Sequence, residues 1–458
     1  MPRLGMAENE DIPALDLRYV WHPFTQAGTA FPPPEVVSGE GAWLHTAEGR
    51  DILDLISSWW VTLHGHAHPT IAKAVAEQAQ QIEQVMFAGF THAPAARLAS
   101  RLAALMPGEL RRVFFSDNGS TAVEVALKIA WQYWRNKGET GRRRFFAFSG
   151  GYHGDTLGAM SVGASTGFYA PFDEMVLPVT FLPFAATWSG DNEAQENEAE
   201  ALAKIDAVLD ASHAEVAAVI IEPLVQGASG MRMCRPEFLR ALCGRLREAG
   251  ILIIFDEVMT GFGRTGHMFA CDKARVAPDI ICLAKGMTGG FLPLAATICD
   301  EEIHGAFIGD DFGTAFAHGH SFTANPLGCA AALASLDLFE SEATLERVAA
   351  MEDLHRRRMR DLARLPNVRR TRVMGSIAAF DLDHGNGSDG GDGKAYGSSW
   401  SQRLRGEFLS RGLLVRPLGD VVYLMPPYCI GEADLDSAYD GIIEVVSKLR
   451  TDLTLNRS

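Results

Sequence analysis

Two ionisable residues stand where apolar segments would not otherwise place them. The run at 251–255 (ILIIF) ends in Asp256-Glu257, and the run at 280–284 (IICLA) ends in Lys285, followed by Gly286 and a Gly-Gly pair at 289–290. Short β-branched and apolar runs bounded by turn formers read as buried parallel strands. Ligands of open α/β sheets collect beyond the carboxyl ends of such strands, so an Asp and a Lys at neighbouring ends should face one crevice. A lysine amine condenses with the aldehyde of pyridoxal 5'-phosphate, and a carboxylate holds the ring nitrogen of that cofactor protonated, which makes the ring an electron sink. A structural ion pair, or a lysine leaving a strand for solvent, is the better reading of any Asp and Lys taken alone. It gives way here because further pieces of such a site recur along the chain.

One piece is a strand, Val113-Phe114-Phe115, running into Ser116-Asp117-Asn118-Gly119-Ser120-Thr121 and then a helix with apolar residues at Val123, Ala126, Leu127, Ala130 and Trp134. That spacing gives one apolar helix face. A small polar loop opening a helix offers free N–H groups and the positive dipole end to an anion, with Gly119 and Ser120 allowing close approach; on this loop alone a plain N-cap by Asn118 or Ser120 is equally good. Another is the strand 144–148 ending in Ser149-Gly150-Gly151-Tyr152-His153-Gly154-Asp155-Thr156. An aromatic such as Tyr152 after a Gly-Gly turn can lie flat on a cofactor ring, and Asp155 can brace the site from behind. The pair Trp59-Trp60, after Ser57-Ser58, reads as core or, on a loop, as pocket lining. The alternating His64, His66 and His68 invite a metal. However, two-residue spacing on a Gly/Pro-broken segment does not bring three ligands to one helix face, and no acidic partner lies beside them; no metal is expected.

The elements that must hold these groups alternate strand and helix from about 60 to 330, the pattern of a mostly parallel sheet with crossover helices. Before them, residues 1–55 are loop-rich, with short strands near Trp43 and Ile52 that suggest a small hairpin. After them come a helix from Leu327, a long helix at 342–365, strands near 374–381, 413–416 and 421–424, and helices at 399–411 and 433–449. The glycine-rich stretch 384–397 reads as a flexible surface loop. At 458 residues the chain suits two or three domains. Its formal charge of −16 argues against nucleic acid or an anionic membrane as partner. The seven cysteines form no CxxC pair, the N-terminal residues lack the apolar core of a secretion signal, and no apolar run approaches a membrane span. A reducing cytoplasm is the default expectation.

Together these segments resemble the class III, fold-type I pyridoxal-phosphate aminotransferases over nearly the whole chain. The general motifs are Asp256-Glu257-Val258 through Gly261-Phe262-Gly263-Arg264-Thr265-Gly266, and Lys285-Gly286. A narrower set is Trp21-His22-Pro23, Ser57-Ser58-Trp59-Trp60, Gln132-Tyr133-Trp134, Gly151-Tyr152-His153-Gly154-Asp155-Thr156 and Arg416-Pro417. It resembles the members of that class that aminate 8-amino-7-oxononanoate in biotin synthesis. The resemblance implies an α/β fold with a large pyridoxal-phosphate domain (60–330), an N-terminal arm with part of a small domain (1–59), and a C-terminal α+β part of that small domain (331–458).

The same resemblance implies residue roles. Lys285 binds the cofactor aldehyde and shuttles the proton between substrate carbon and cofactor. Asp256 pairs with the ring nitrogen, and Tyr152 stacks on the ring. Gly119 and Ser120 bind the phosphate, completed by Ser321 from a second subunit of a homodimer. Trp59 and Trp60 line the substrate pocket, with Arg264, Gly319 and Arg416 as further substrate contacts and Arg416 as the expected carboxylate partner, since a planar guanidinium matches a carboxylate bidentately. S-adenosylmethionine is the expected amino donor. Phe24, where many members carry Tyr, and His320-Ser321, where they carry Pro-Thr, leave lysine as the alternative donor. A class III transaminase for ω-amino acids or diamines is the nearest rival activity.

Overall fold

The computed structural model describes residues 11–30, 32–163, 169–383 and 399–455, so the stretch expected to be a flexible loop at 384–397 lies outside the described residues. Its centre is a seven-stranded sheet. In chain order the strands are β1 (Leu110–Ser116), β2 (Arg144–Phe148), β3 (Val179–Leu182), β4 (Val216–Ile221), β5 (Leu252–Asp256), β6 (Ile280–Leu283) and β7 (Ala295–Asp300). They lie side by side as β1-β7-β6-β5-β4-β2-β3. β7 runs antiparallel to both of its neighbours, and the remaining neighbour pairs are parallel. The mostly parallel sheet is therefore present, with one reversed strand that β-branched composition alone could not distinguish.

Every residue of β4 is buried, as a central strand covered on both faces must be. Alternate side chains go to opposite faces. Val219, Phe255, Ile281 and Leu283 join one core, while Ala218, Ile220, Ile254, Ile280 and Cys282 join the other. Helix Pro236–Glu248 closes the first face with Phe238, Leu239, Leu242 and Leu246. Helix Gly119–Asn136 closes the second with Val123, Ala126, Leu127, Ala130 and Trp134, the residues whose spacing marked it in the sequence.

A second core unites the two ends of the chain. Strands Val36–Glu40, Trp43–Thr46 and Asp51–Asp54 form an antiparallel set, which Leu413–Leu414 extends by pairing parallel to Asp51–Asp54. Strands Val368–Met374, Ile377–Leu382 and Val421–Leu424 make a three-stranded antiparallel sheet. Leu53 and Leu55 pack in one cluster with Phe380, Phe408, Leu424 and Tyr439. Three strands stand where a hairpin was expected near the N-terminus. Helix Ile12–Tyr19 and strand Val368–Met374 were not anticipated at all: the helix buries none of its residues, and the strand carries Arg369-Arg370-Thr371-Arg372, which hides its alternation. Among the described residues no helix is long and apolar enough to cross a membrane.

Candidate active site

β5 and β6 are adjacent and parallel, with Asp256 opposite Cys282. Asp256 is thus the last residue of its strand and Lys285 stands just past the end of the next. Both line one cavity of about 680 Å³. Lys285 begins a tight turn, Lys285–Thr288, at φ 37°, a left-handed conformation that a side-chain-bearing residue adopts only when its surroundings impose it. Here the bonds from Met287 N–H to Ala284 O (2.9 Å) and from Gly289 N–H to Gly286 O (2.9 Å) hold the turn. The Lys285 amine sits 4.9 Å from the centre of the Trp60 ring. Burial pushes that amine below the ordinary lysine range, against the pull of the Asp256 and Glu222 carboxylates.

The Asp256 carboxylate is buried and oriented on both oxygens. Val258 N–H donates to Oδ1 at 3.0 Å, and His153 Nδ1 lies 2.7 Å from Oδ2. An ionised carboxylate only accepts, so Nδ1 carries the proton, while the buried Nε2 on the far side of the ring has no partner among the described residues. In the sequence His153 is one residue of a longer motif, and no local signal ties it to Asp256.

The opposite end of the cavity is the start of helix Gly119–Asn136. Asn118 caps it, its side chain accepting Thr121 N–H at 3.1 Å while Thr121 Oγ1 accepts Asn118 N–H. The next N–H groups, of Gly119 and Ser120, have no helix carbonyl within reach, and both residues line the cavity. The cap uses Asn118 and Thr121 and leaves the Gly119 and Ser120 N–H groups clear of it, so the cap does not exclude an anion site here. A β-carbon on Gly119 would lie 2.5 Å from Val258 Cγ1, and one on Gly154, at φ 124°, would lie 2.3 Å from Ser120 Oγ. Only glycine allows this closeness. Thr156 Oγ1 donates to Glu124 Oε1 (2.6 Å), so Ser120 Oγ–H is the donor in its 2.7 Å contact with Thr156.

Tyr152 lines the cavity and stacks on Tyr169 (6.4 Å between centres, 12° between planes), whose hydroxyl donates to Gly154 O at 3.1 Å. Trp60 is buried and donates from Nε1 to Tyr423 Oη at 2.9 Å. The Ser57–Trp60 turn contains three residues at positive φ, Ser57, Ser58 and Trp60. Buried Asp54 holds it by accepting N–H bonds from Ile56 (3.1 Å) and Ser58 (2.6 Å). Trp59 is exposed, with the Arg416 guanidinium 4.4 Å from its ring centre and Phe24 edge-on at 5.8 Å.

Five expected substrate or cofactor residues, Trp59, Arg264, Gly319, Ser321 and Arg416, do not line this cavity. Arg264 is 1% exposed and donates to three main-chain carbonyls, Pro426 O at 3.2 Å, Trp60 O at 3.3 Å and Thr62 O at 3.3 Å. Its guanidinium fastens the Trp60 turn to the C-terminal segment. Gly319 and Ser321 lie on a loop outside the cavity of their own chain, where Ser321 O accepts Gln84 Nε2–H at 2.7 Å. The three alternating histidines have separate partners: His64 with Ser335 (3.0 Å), His66 with Asp54 (3.0 Å) and His68 with Glu342 (3.1 Å).

The cavity suits pyridoxal phosphate in shape and charge. A flat ring has Tyr152 beside it, a protonated ring nitrogen has the fixed carboxylate of Asp256, an aldehyde has the amine of Lys285, and a phosphate has the helix start at Gly119-Ser120. The sequence profile of the class III aminotransferases matches residues 26–446. The adenosylmethionine-8-amino-7-oxononanoate aminotransferase of Synechococcus elongatus is 52% identical over 432 residues, 94% of this chain and 99% of that one. The crystal structure of the enzyme so named from Methanocaldococcus jannaschii is similar with TM-score 0.88 and 34% identity, covering 95% of this chain and 98% of that one. The PMP-bound form of an aminotransferase from Vibrio fluvialis matches with TM-score 0.89 and 25% identity, over 98% and 100% of the two chains.

Proposed function

Because the chain belongs to the class III aminotransferases, we propose that it transfers an amino group to the ketone of 8-amino-7-oxononanoate, giving 7,8-diaminononanoate in biotin synthesis, with S-adenosylmethionine as donor. Pyridoxal 5'-phosphate is the cofactor. The observation that carries the reaction type is that Lys285, Asp256 and the first turn of helix Gly119–Asn136 line a single cavity; nearly full-length relatives bearing that activity in their names carry the substrate.

When bound, the cofactor supplies an electron sink for charge developing on the amine-bearing carbon. Lys285 would hold the cofactor aldehyde and serve as the base that moves the proton at the substrate carbon; its lowered basicity suits an amine that must be neutral to accept one. Asp256, aligned by His153, keeps the ring nitrogen protonated. Tyr152 covers one ring face, and Gly119 and Ser120 receive the phosphate together with Ser321 of the partner subunit in a homodimer. Trp59 and Trp60 wall the substrate chain, and Arg416 takes the oxononanoate carboxylate. The chain divides into an N-terminal arm (1–59), a cofactor domain (60–330) and a C-terminal small domain (331–458), and it works in the cytoplasm.

Lysine as donor is the second reading, favoured by Phe24, which sets a ring without a hydroxyl against Trp59. Single-turnover absorbance separates the two. Adenosylmethionine should discharge the bound-cofactor band and 8-amino-7-oxononanoate should restore it; discharge by lysine alone changes the donor, and discharge only by simple ω-amines overturns the biotin assignment. Lys285→Ala should lose both the band and turnover.

A further inference from the structure

One buried carboxylate lines the cavity without a part in the chemistry above. Glu222 directly follows β4, beside the strand that ends in Asp256, and is 5% exposed. Its two oxygens serve different walls. Oε2 accepts the N–H of Tyr152 at 3.0 Å, and Oε1 accepts the N–H of Gly227 at 2.9 Å. Tyr152 itself lines the cavity. Gly227 backs another wall, since a β-carbon there would lie 3.0 Å from Met259 Cε and 3.1 Å from Trp60 Cζ3.

We propose that Glu222 is a positioning residue that sets the gap between the Tyr152 ring and the Trp60 wall, the slot in which the cofactor ring and substrate chain lie. A carboxylate is the side chain for this task. It presents two acceptors and no donor, so it takes one N–H from each loop, whereas an amide of the same shape must turn its NH2 toward one of the two N–H groups. Bonds of this charge-assisted kind are short and strong where water is excluded. Burial and neighbouring Asp256 push the Glu222 carboxyl up to about 7, while His153 and the two N–H donors favour the ionised form, so the comparison belongs above that pH, where the two-acceptor carboxylate prevails. The ionisable groups acting on it, Asp256 and His153, thus belong to the cofactor end of the same cavity.

The inference rests on the site reading above, and its test separates the two. Holoenzymes of Glu222→Gln and Gly227→Ala are compared with the parent by the visible circular dichroism of bound pyridoxal phosphate, by cofactor loss on dialysis, and by KM and kcat for 8-amino-7-oxononanoate. Dichroism reports how the ring is held, which a purely structural residue elsewhere would not alter. Glu222→Gln should at least halve the dichroic band per bound cofactor and speed cofactor loss about tenfold, the scale of one lost charge-assisted bond. Gly227→Ala keeps Glu222 and should move only the Trp60 wall, raising KM several-fold with cofactor retention unchanged; it decides the matter should Glu222→Gln fail to fold. Unaltered dichroism and retention in Glu222→Gln, or an unaltered KM in Gly227→Ala, overturns the inference alone. A cofactor band that survives Lys285→Ala overturns the site reading and this inference with it.

Discussion

Two arginines of the proposed site sit in different surroundings. Arg264 has its guanidinium packed against Tyr428 (5.0 Å to the ring centre) and bonded to three carbonyls, so its removal orphans buried acceptors. Arg264→Leu should cost about 3 kcal/mol in a denaturant melt while the folded fraction keeps its KM for the acceptor. Arg416 lies at the Trp59 rim, and Arg416→Ala should instead raise that KM about 10- to 100-fold with little loss of stability, the worth of a bidentate charge-assisted contact. Glu257 gives a pH signature. It is buried, accepting N–H bonds from Ala270 (2.7 Å) and Cys271 (2.8 Å) and the Thr260 hydroxyl (3.0 Å). Burial raises its pKa from 4.5 to about 7. The folded state therefore binds the proton more tightly than the unfolded chain. The resulting stabilisation, on the order of 3 kcal/mol, is complete below about 4.5 and lost as pH rises through about 7. Thermal melts should show the parent losing stability relative to Glu257→Gln between those pH values; parallel curves would contradict the shift.

At the scale of elements, the site is made by chain ends that meet. Helix Gly119–Asn136 can aim its first turn at the cavity only because Gly119 tolerates Val258 at its back. Val258 in turn donates its N–H to Asp256, so pressure on Val258 reaches the carboxylate. Gly119→Ala should cost about 1–3 kcal/mol through overpacking, and cofactor should leave the variant faster on dialysis than it leaves the parent. A variant that melts lower yet keeps cofactor equally well would separate the packing from the site. The strained Ser57–Trp60 turn is a comparable joint, held from below by Asp54 and from the side by the Ser57 hydroxyl donating to Met425 O (2.7 Å). The C-terminal part of the chain thereby braces the wall of a cavity whose floor is built by the central sheet.

At the scale of the whole molecule, the proposed homodimer makes its own predictions. Trp21 is 92% exposed and Phe90, Met86 and Phe322 are each 60% exposed or more, candidates for contact with the partner in that homodimer. Phe322 adjoins Ser321 on the loop that lies outside its own cavity. In the proposed homodimer this loop completes the phosphate site of the other subunit. Melting temperature should rise with protein concentration and with added pyridoxal phosphate, because both act on the folded, associated state. Ser321→Ala should weaken cofactor retention without changing the oligomeric state measured by sedimentation; unchanged retention would count against Ser321 in the proposed phosphate site.

The sequence by itself determined the parts of this protein that local pattern encodes. The apolar runs ending in Asp256 and Lys285, the capped helix start at Gly119-Ser120 and the aromatic after Gly150-Gly151 were all legible, since strand and helix periodicities act over a few residues. Strand Val368–Met374 was not, because its arginines mask the alternation, and one of them, Arg372, reaches across to accepting carbonyls of Gly230 and Met231 (2.6 and 2.9 Å). Tertiary structure alone decided which distant groups became partners: His153 with Asp256, Glu222 with Tyr152, Trp60 with Tyr423, Arg264 with Pro426. Each of these pairs spans dozens to hundreds of residues, so it exists only once crossovers and strand order have been chosen. Arginine in a glycine-rich motif reads alike whether it meets a substrate carboxylate or a main-chain carbonyl. Which main-chain carbonyls it meets depends on the packed surroundings, a property of the whole fold.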